Sequence, residues 1–187
     1  MTPSRMWIFA AALTAGAVPS WTQEPVEEPP PASLSSKARI APADEPGDPL
    51  VISGQVFDPA GLHPVPDVVV YAYQTDSKGL YTPSGAARPP RLRGWARTDA
   101  EGRYEFRTIR PAPYPGNGPP AHVHFYLSGA GHPRQEAEEL QFADDRKVTP
   151  EVAERSRRAG RFGGVRPITR DAAGVWHCTF DMRLRAN

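Results

Sequence analysis

The sequence predicts an all-β fold: a β-sandwich of mostly antiparallel strands with long loops and a short helix. Three observations predict it. Short β-branched and aromatic runs recur from residue 50 to the C-terminus. Clusters of Asp, Gly, Pro and Ser separate these runs, which is turn chemistry. The clearest helix start follows Thr149 and is brief. Many short strands with Gly/Pro turns pack as two sheets rather than as layered α/β units.

The first strand is Leu50 to Phe57, closed by the turn Asp58-Pro59-Ala60-Gly61. Val68 to Tyr73 is the second, β-branched and aromatic, and Thr75 to Gly79 is a polar turn. Trp95 to Thr98 is a third, ending at Asp99-Ala100-Glu101-Gly102, where glycine suits positive φ. Arg103 to Ile109 alternates at period two. His122 to Leu127 follows, and Val175 to Leu184 closes the domain. Between them, Glu136 to Leu140 reads as one helical turn. Thr149-Pro150-Glu151 reads as an N-cap, N1 and first turn of a short helix outside the sandwich. Arg155, Arg157, Arg158 and Arg161 then form a solvated basic surface or, alternatively, a site for a substrate carboxylate.

The N-terminal third is different. Arg5 followed by the apolar run Trp7 to Val18 reads as a signal peptide or N-terminal anchor over residues 1–18. Either reading places the working domain outside the cytoplasm, periplasmic or secreted. Residues 19–48 carry Pro25, Pro29, Pro30, Pro31, Pro42 and Pro46 among Glu, Ser and Ala, and read as a disordered linker. The folded domain is then 49–187. The chain's formal net charge of +1 gives no field that would recruit nucleic acid or hold the mature domain on a membrane. The single cysteine, Cys178, excludes an intrachain disulfide and reads as a buried structural thiol. A homo-oligomer is left open.

Pro120-Ala121-His122-Val123-His124-Phe125 carries the chemistry. Alternation puts His122 and His124 on one strand face and Val123, Phe125 and Leu127 on the other. Paired imidazoles on a rigid strand make half of a metal site. Tyr114-Pro115 lies just upstream, and Tyr126 shares the histidine face. Tyr104 belongs to the core. Tyr71 and Tyr73, sharing one face, read as packing, and His63 and His177 as surface or packing residues.

Two resemblances follow from the motifs. Gly54-x-Val56-x-Asp58, Val65-Pro66-Asp67-Val68 and Thr98-Asp99-x-x-Gly102-x-Tyr104-x-Phe106 resemble extracellular carboxypeptidase-regulatory-like and transthyretin-like modules, which bind or space. Gly79-Leu80-Tyr81-Thr82-Pro83, Arg93-Gly94, Phe106 to Pro111, Pro113-Tyr114-Pro115 and the Pro120 to Phe125 run, in this order, resemble the intradiol ring-cleavage dioxygenases. Gly131-His132 and Phe180 to Leu184 fit that family as well, so the likeness covers the whole folded part.

The resemblance implies a ferric ion, Fe(III), held by Tyr81, Tyr114, His122 and His124, with Tyr114 and His124 axial and Tyr81 and His122 equatorial. It implies a catechol-like aromatic substrate and O2, cleaved between the hydroxyl-bearing carbons to a muconate-type diacid. Tyr114 has the catalytic role, leaving the metal and accepting a substrate proton. His132 takes a structural or pocket-edge role. Two positions depart from the family pattern. Pro119 stands where an arginine is common, and Glu139 where a glutamine is. Both changes remove stabilisation of negative charge. An iron-binding sandwich with altered or lost activity, and a transthyretin-like binding module, are the alternatives.

Overall fold

The computed structural model describes residues 29–82 and 89–186. The expected signal or anchor, residues 19–28 of the expected linker and Pro83 lie outside the described residues. Among the described residues twelve strands, one α-helix and a 3-10 turn at Gly160–Phe162 follow in order: β1 Lys37–Arg39, β2 Pro49–Phe57, β3 Val69–Gln74, β4 Leu92–Arg97, β5 Arg103–Ile109, β6 His122–Gly129, β7 His132–Glu136, β8 Leu140–Phe142, α1 Pro150–Arg158, β9 Val165–Arg166, β10 Ile168–Arg170, β11 Trp176–Thr179 and β12 Met182–Arg183. One sheet runs β1-β5-β2-β11-β10, with β12 also on β2. The other runs β4-β3-β6-β8-β9, with β7 also on β6.

The sheets face each other through their apolar sides. Leu50, Ile52, Tyr104 and Phe106 from the first meet Val70, Ala72, Leu92, Val123, Phe125 and Leu127 from the second. Phe125 packs on Phe180 with ring centroids 5.3 Å apart and on Phe106 at 6.4 Å. Period-two alternation explains this split, since each strand offers one apolar face. Cys178 is buried here, and burial pushes its thiol up to about 12, as expected of a structural cysteine. The second sheet therefore turns His122, His124, Tyr71, Tyr73 and Tyr126 away from the core, onto its outer face.

Two expectations are corrected. The linker does not extend to residue 48. Lys37–Arg39 pairs in parallel with Glu105–Arg107, and Ile40 and Ala41 are buried. Arg97 N donates to Ser35 O at 3.0 Å and Glu105 N to Ser36 O at 2.7 Å. The segment thus joins β4 of one sheet to β5 of the other and closes that edge. Arg91 holds Glu45 in a two-bond ion pair at 2.5 and 2.7 Å. No proline falls between residues 32 and 41, so β1 and the buried Ile40 and Ala41 are uninterrupted. The second correction is Glu136 to Leu140, which makes no helical turn. It is the link between β7 and β8, because Leu140 and Phe142 alternate with Gln141 and are both fully buried. The helix after Thr149 forms as expected, with Val152 N donating to Thr149 Oγ1 at 3.4 Å, and it buries none of its residues.

Candidate metal centre

One strand and two loops bring the predicted residues together. β6 places His122 and His124 side by side on the outer face, with Nε2 atoms 3.0 Å apart. The Tyr81 hydroxyl lies 3.0 Å from His124 Nε2 and is in hydrogen-bond contact with the Tyr114 hydroxyl. Tyr114 stands edge-on to His122, ring centroids 5.1 Å apart. All four predicted side chains, Tyr81, Tyr114, His122 and His124, point their donor atoms at one place.

Each donor is held from behind. Pro120 O accepts a hydrogen bond from His122 Nδ1 at 2.7 Å. A carbonyl only accepts, so the proton sits on Nδ1 and Nε2 is bare. Burial, with His124 alongside, holds the His122 pKa below its ordinary value, which keeps this ring neutral. His124 Nδ1 lies 3.1 Å from Glu139 Oε1, at an angle that makes the contact electrostatic more than a formed hydrogen bond. Tyr73 sits directly across from His124 in the ladder and stacks on it, centroids 4.4 Å apart and planes 10° apart.

Tyr81 ends the turn that begins at Asp76. Asp76 Oδ1 accepts from Lys78 N at 2.8 Å and Leu80 N at 3.0 Å. Gly79 has φ of 79°, and a Cβ there would fall 2.2 Å from Pro113 O. Only glycine lets the Tyr81 and Tyr114 loops approach this closely. The Tyr114 loop is held by Lys147, whose ammonium donates to the carbonyls of Tyr114 (3.3 Å), Gly116 (2.9 Å) and Gly118 (3.1 Å). Asp145, in the same turn, accepts from Ala121 N at 2.8 Å and so fixes the entry to β6. Lys147→Met is expected to cost about 1.5–3 kcal/mol, the range for charged hydrogen bonds, and to raise amide exchange across 114–118. Thermal melting and hydrogen exchange measure the two effects. A variant with wild-type protection in that loop would deny Lys147 this role.

The cluster fits a metal ion. Burial, and then the adjacent Tyr114 oxygen, push the Tyr81 phenol well above its ordinary pKa, so ionising it in place requires a cation. His122 Nε2, left bare by the Pro120 bond, faces His124 Nε2 at 3.0 Å. Donors about 3 Å apart also match neighbouring ligands on one ion with bonds of about 2.1 Å. His122, His124 and Glu139 have ligand atoms within 4.8 Å of one another. His132, His63 and His177 lie elsewhere, His177 paired with Asp171 at 2.8 Å. Clefts of about 480 and 630 Å³ on other parts of the surface share no residue with the cluster.

The motif order is matched by a comparison with known families: the model described as dioxygenase covers residues 27–186. The chain belongs to the intradiol ring-cleavage dioxygenase family. It is 42% identical over 112 residues to catechol 1,2-dioxygenase 1 of Acinetobacter lwoffii, covering 50% of this chain and 35% of that protein. It is 40% identical over 94 residues to the protocatechuate 3,4-dioxygenase beta chain of Burkholderia cepacia, covering 44% and 40%. The matched segment thus spans two-fifths or less of these curated relatives. Among solved structures, the catechol 1,2-dioxygenase from Pseudomonas arvilla C-1 superposes with a TM-score of 0.63 at 27% identity, over 83% of this chain and 59% of that one. The dioxygenase domain of a dioxygenase carbohydrate-binding protein fusion from Streptomyces sp. SirexAA-E gives 0.60 at 26%, over 88% and 98%. A transthyretin-like spacer reading is not favoured beside these intradiol dioxygenase matches.

Sequence reasoning missed Tyr73, Gln141, Asp145 and Lys147. Tyr73 was read as packing, and its stacking on His124 depends on the β3–β6 register. No local motif marks the other three.

Proposed function

We propose that this intradiol dioxygenase family member uses Fe(III) to cleave a catechol-like aromatic with O2 to a muconate-type diacid. The observation that carries this reading is the convergence of the Tyr81, Tyr114, His122 and His124 donor atoms. Two phenolates and two imidazoles suit a hard trivalent iron. Bound there, the ion supplies Lewis acidity and a template that activates a chelated diol toward O2.

The chain's own residues divide the remaining work. His122 and His124 are fixed by the β6 ladder and stay in place. Tyr81 is anchored by the Asp76 turn. Tyr114 precedes Pro115 to Asn117, which are exposed, so its loop borders solvent. Its phenolate is the group to leave when a diol enters, and it then accepts a hydroxyl proton. Tyr73 keeps the His124 ring aligned. Export belongs to the same proposal, supported by Arg5 and the apolar run Trp7 to Val18.

Pro119 brings no positive charge beside the histidines, and Glu139 adds a negative one. Loss of one charge-stabilising donor costs on the order of a hundredfold in rate. Ferric-loaded protein is therefore expected to bind catechol without O2, moving its visible band to longer wavelength, and to form muconate slowly once air is admitted. Product absorbance, O2 uptake and iron content measure this. Protein that stays colourless and retains no iron overturns the reading.

A further inference from the structure

Glu139 is the one acidic side chain, among the described residues, whose carboxylate meets the back of a donor imidazole. Its Oε1 lies 3.1 Å from His124 Nδ1. That nitrogen points away from the donor cluster, while Nε2 of the same ring points into it, 3.0 Å from His122 Nε2 and from the Tyr81 hydroxyl. The carboxylate is thus behind the ring and is no ligand of the cluster itself.

Two neighbours set its position. Gln141 follows it by two residues on β8 and donates its amide to Glu139. Gln141 Oε1 is left buried without a partner, as expected when the amide nitrogen is turned to the carboxylate. Gln141 also pairs with His122 in the ladder, so β8 places the side chain that braces Glu139 beside that histidine. The Glu139 carbonyl is backed by Gly164, where a Cβ would fall 2.4 Å from it.

We propose that Glu139 is a positioning residue for the metal centre, one that locks His124 with its proton on Nδ1 and adds a negative charge behind it. The proposal rests on the iron reading above. An anion behind an imidazole raises its donor strength and fixes the ring's tautomer. An added negative charge close to a ferric ion disfavours its reduction, so the energy of electron transfer from tyrosinate to iron rises.

Glu139→Gln keeps an acceptor for Nδ1–H and removes the charge. Glu139→Ala removes both. In iron-loaded protein the Gln variant should keep its iron while its visible band moves to longer wavelength. The Ala variant should lose about 10–100-fold in iron affinity, the usual cost of an outer-sphere partner. Metal-free protein gives a separate readout by ¹⁵N NMR of the imidazoles. Wild type and the Gln variant should show His124 protonated at Nδ1, and the Ala variant a mixture. Wild-type band position in the Gln variant, with wild-type iron affinity and tautomer in the Ala variant, overturns the proposal. If wild-type protein takes up no iron, the function reading fails. The NMR comparison then decides Glu139 by itself, and a tautomer unchanged in Glu139→Ala rejects it.

Discussion

Iron-loaded protein should lose its tyrosinate absorption when His122 is replaced by Ala. His122 is 4% exposed, and its Nδ1 is already committed to Pro120 O, so Nε2 is its sole free donor. The ladder fixes β6 on both sides, through β3 and β8, so no neighbouring backbone shift brings a substitute forward. Tyr114 also loses the ring it stands against. The loss in iron affinity should exceed the roughly 10–100-fold seen when an outer-sphere partner is removed. The fold should survive, because His122 faces away from the apolar core. The expected change in unfolding free energy is about 1–2 kcal/mol, within the ordinary range of single substitutions. Visible spectra, metal analysis and a thermal melt are the measurements. An unchanged visible band would remove His122 from the metal centre.

The alternation along β6 is why so much of the site could be read from sequence. His122-Val123-His124-Phe125 has a period that separates chemistry from core, and the structure buries Val123 and Phe125 fully while the histidines sit on the outer face. Tyr114 is marked by the proline after it. Tyr81 has no such local signal. Only the order of the motifs singled it out, and a glycine-dependent loop approach brings it to His124. Contacts that depend on register between distant strands were not legible. Tyr73 lies opposite His124 only because β3 pairs antiparallel with β6 in one register. Lys147 reaches the Tyr114 loop from a turn more than thirty residues away. β1 was hidden for a different reason. Proline counted across 19–48 hides the proline-free run that includes Ala38, Ile40 and Ala41. Three residues of strand give too short a period to detect, and their stability comes from being caught between two sheet edges.

Gly54→Ala should lower stability strongly, because among the described glycines its added methyl would meet the closest atom. A Cβ at Gly54 would lie 1.9 Å from Phe180 O and 3.2 Å from Tyr104 Cε1. This is the point where β2 exchanges one partner for another, pairing with β11 through Ser53 and with β12 from Val56. The chain bends there at Phe180-Asp181. Phe180 N donates to Ser53 O at 2.8 Å, and Phe180 O accepts from the buried Tyr104 hydroxyl at 2.6 Å. Gln55 N donates to Asp181 Oδ1 at 3.0 Å. Making room for a methyl group moves Phe180, whose ring is fully buried against Phe125, and strains all three bonds. Overpacking of this kind, together with one lost buried hydrogen bond, costs about 3–5 kcal/mol. In a domain of this size that is a fall of roughly 6–20 °C in Tm. Tyr104→Phe separates the two contributions, since it removes the hydroxyl without adding bulk and should cost about 1 kcal/mol. Gly54 belongs to the sheet opposite the histidines. Below its melting point, iron-loaded Gly54→Ala protein should therefore keep the wild-type visible spectrum. A Tm within about 2 °C of wild type would mean that the β11–β12 bend relaxes freely and does not tie the closing strands to β2.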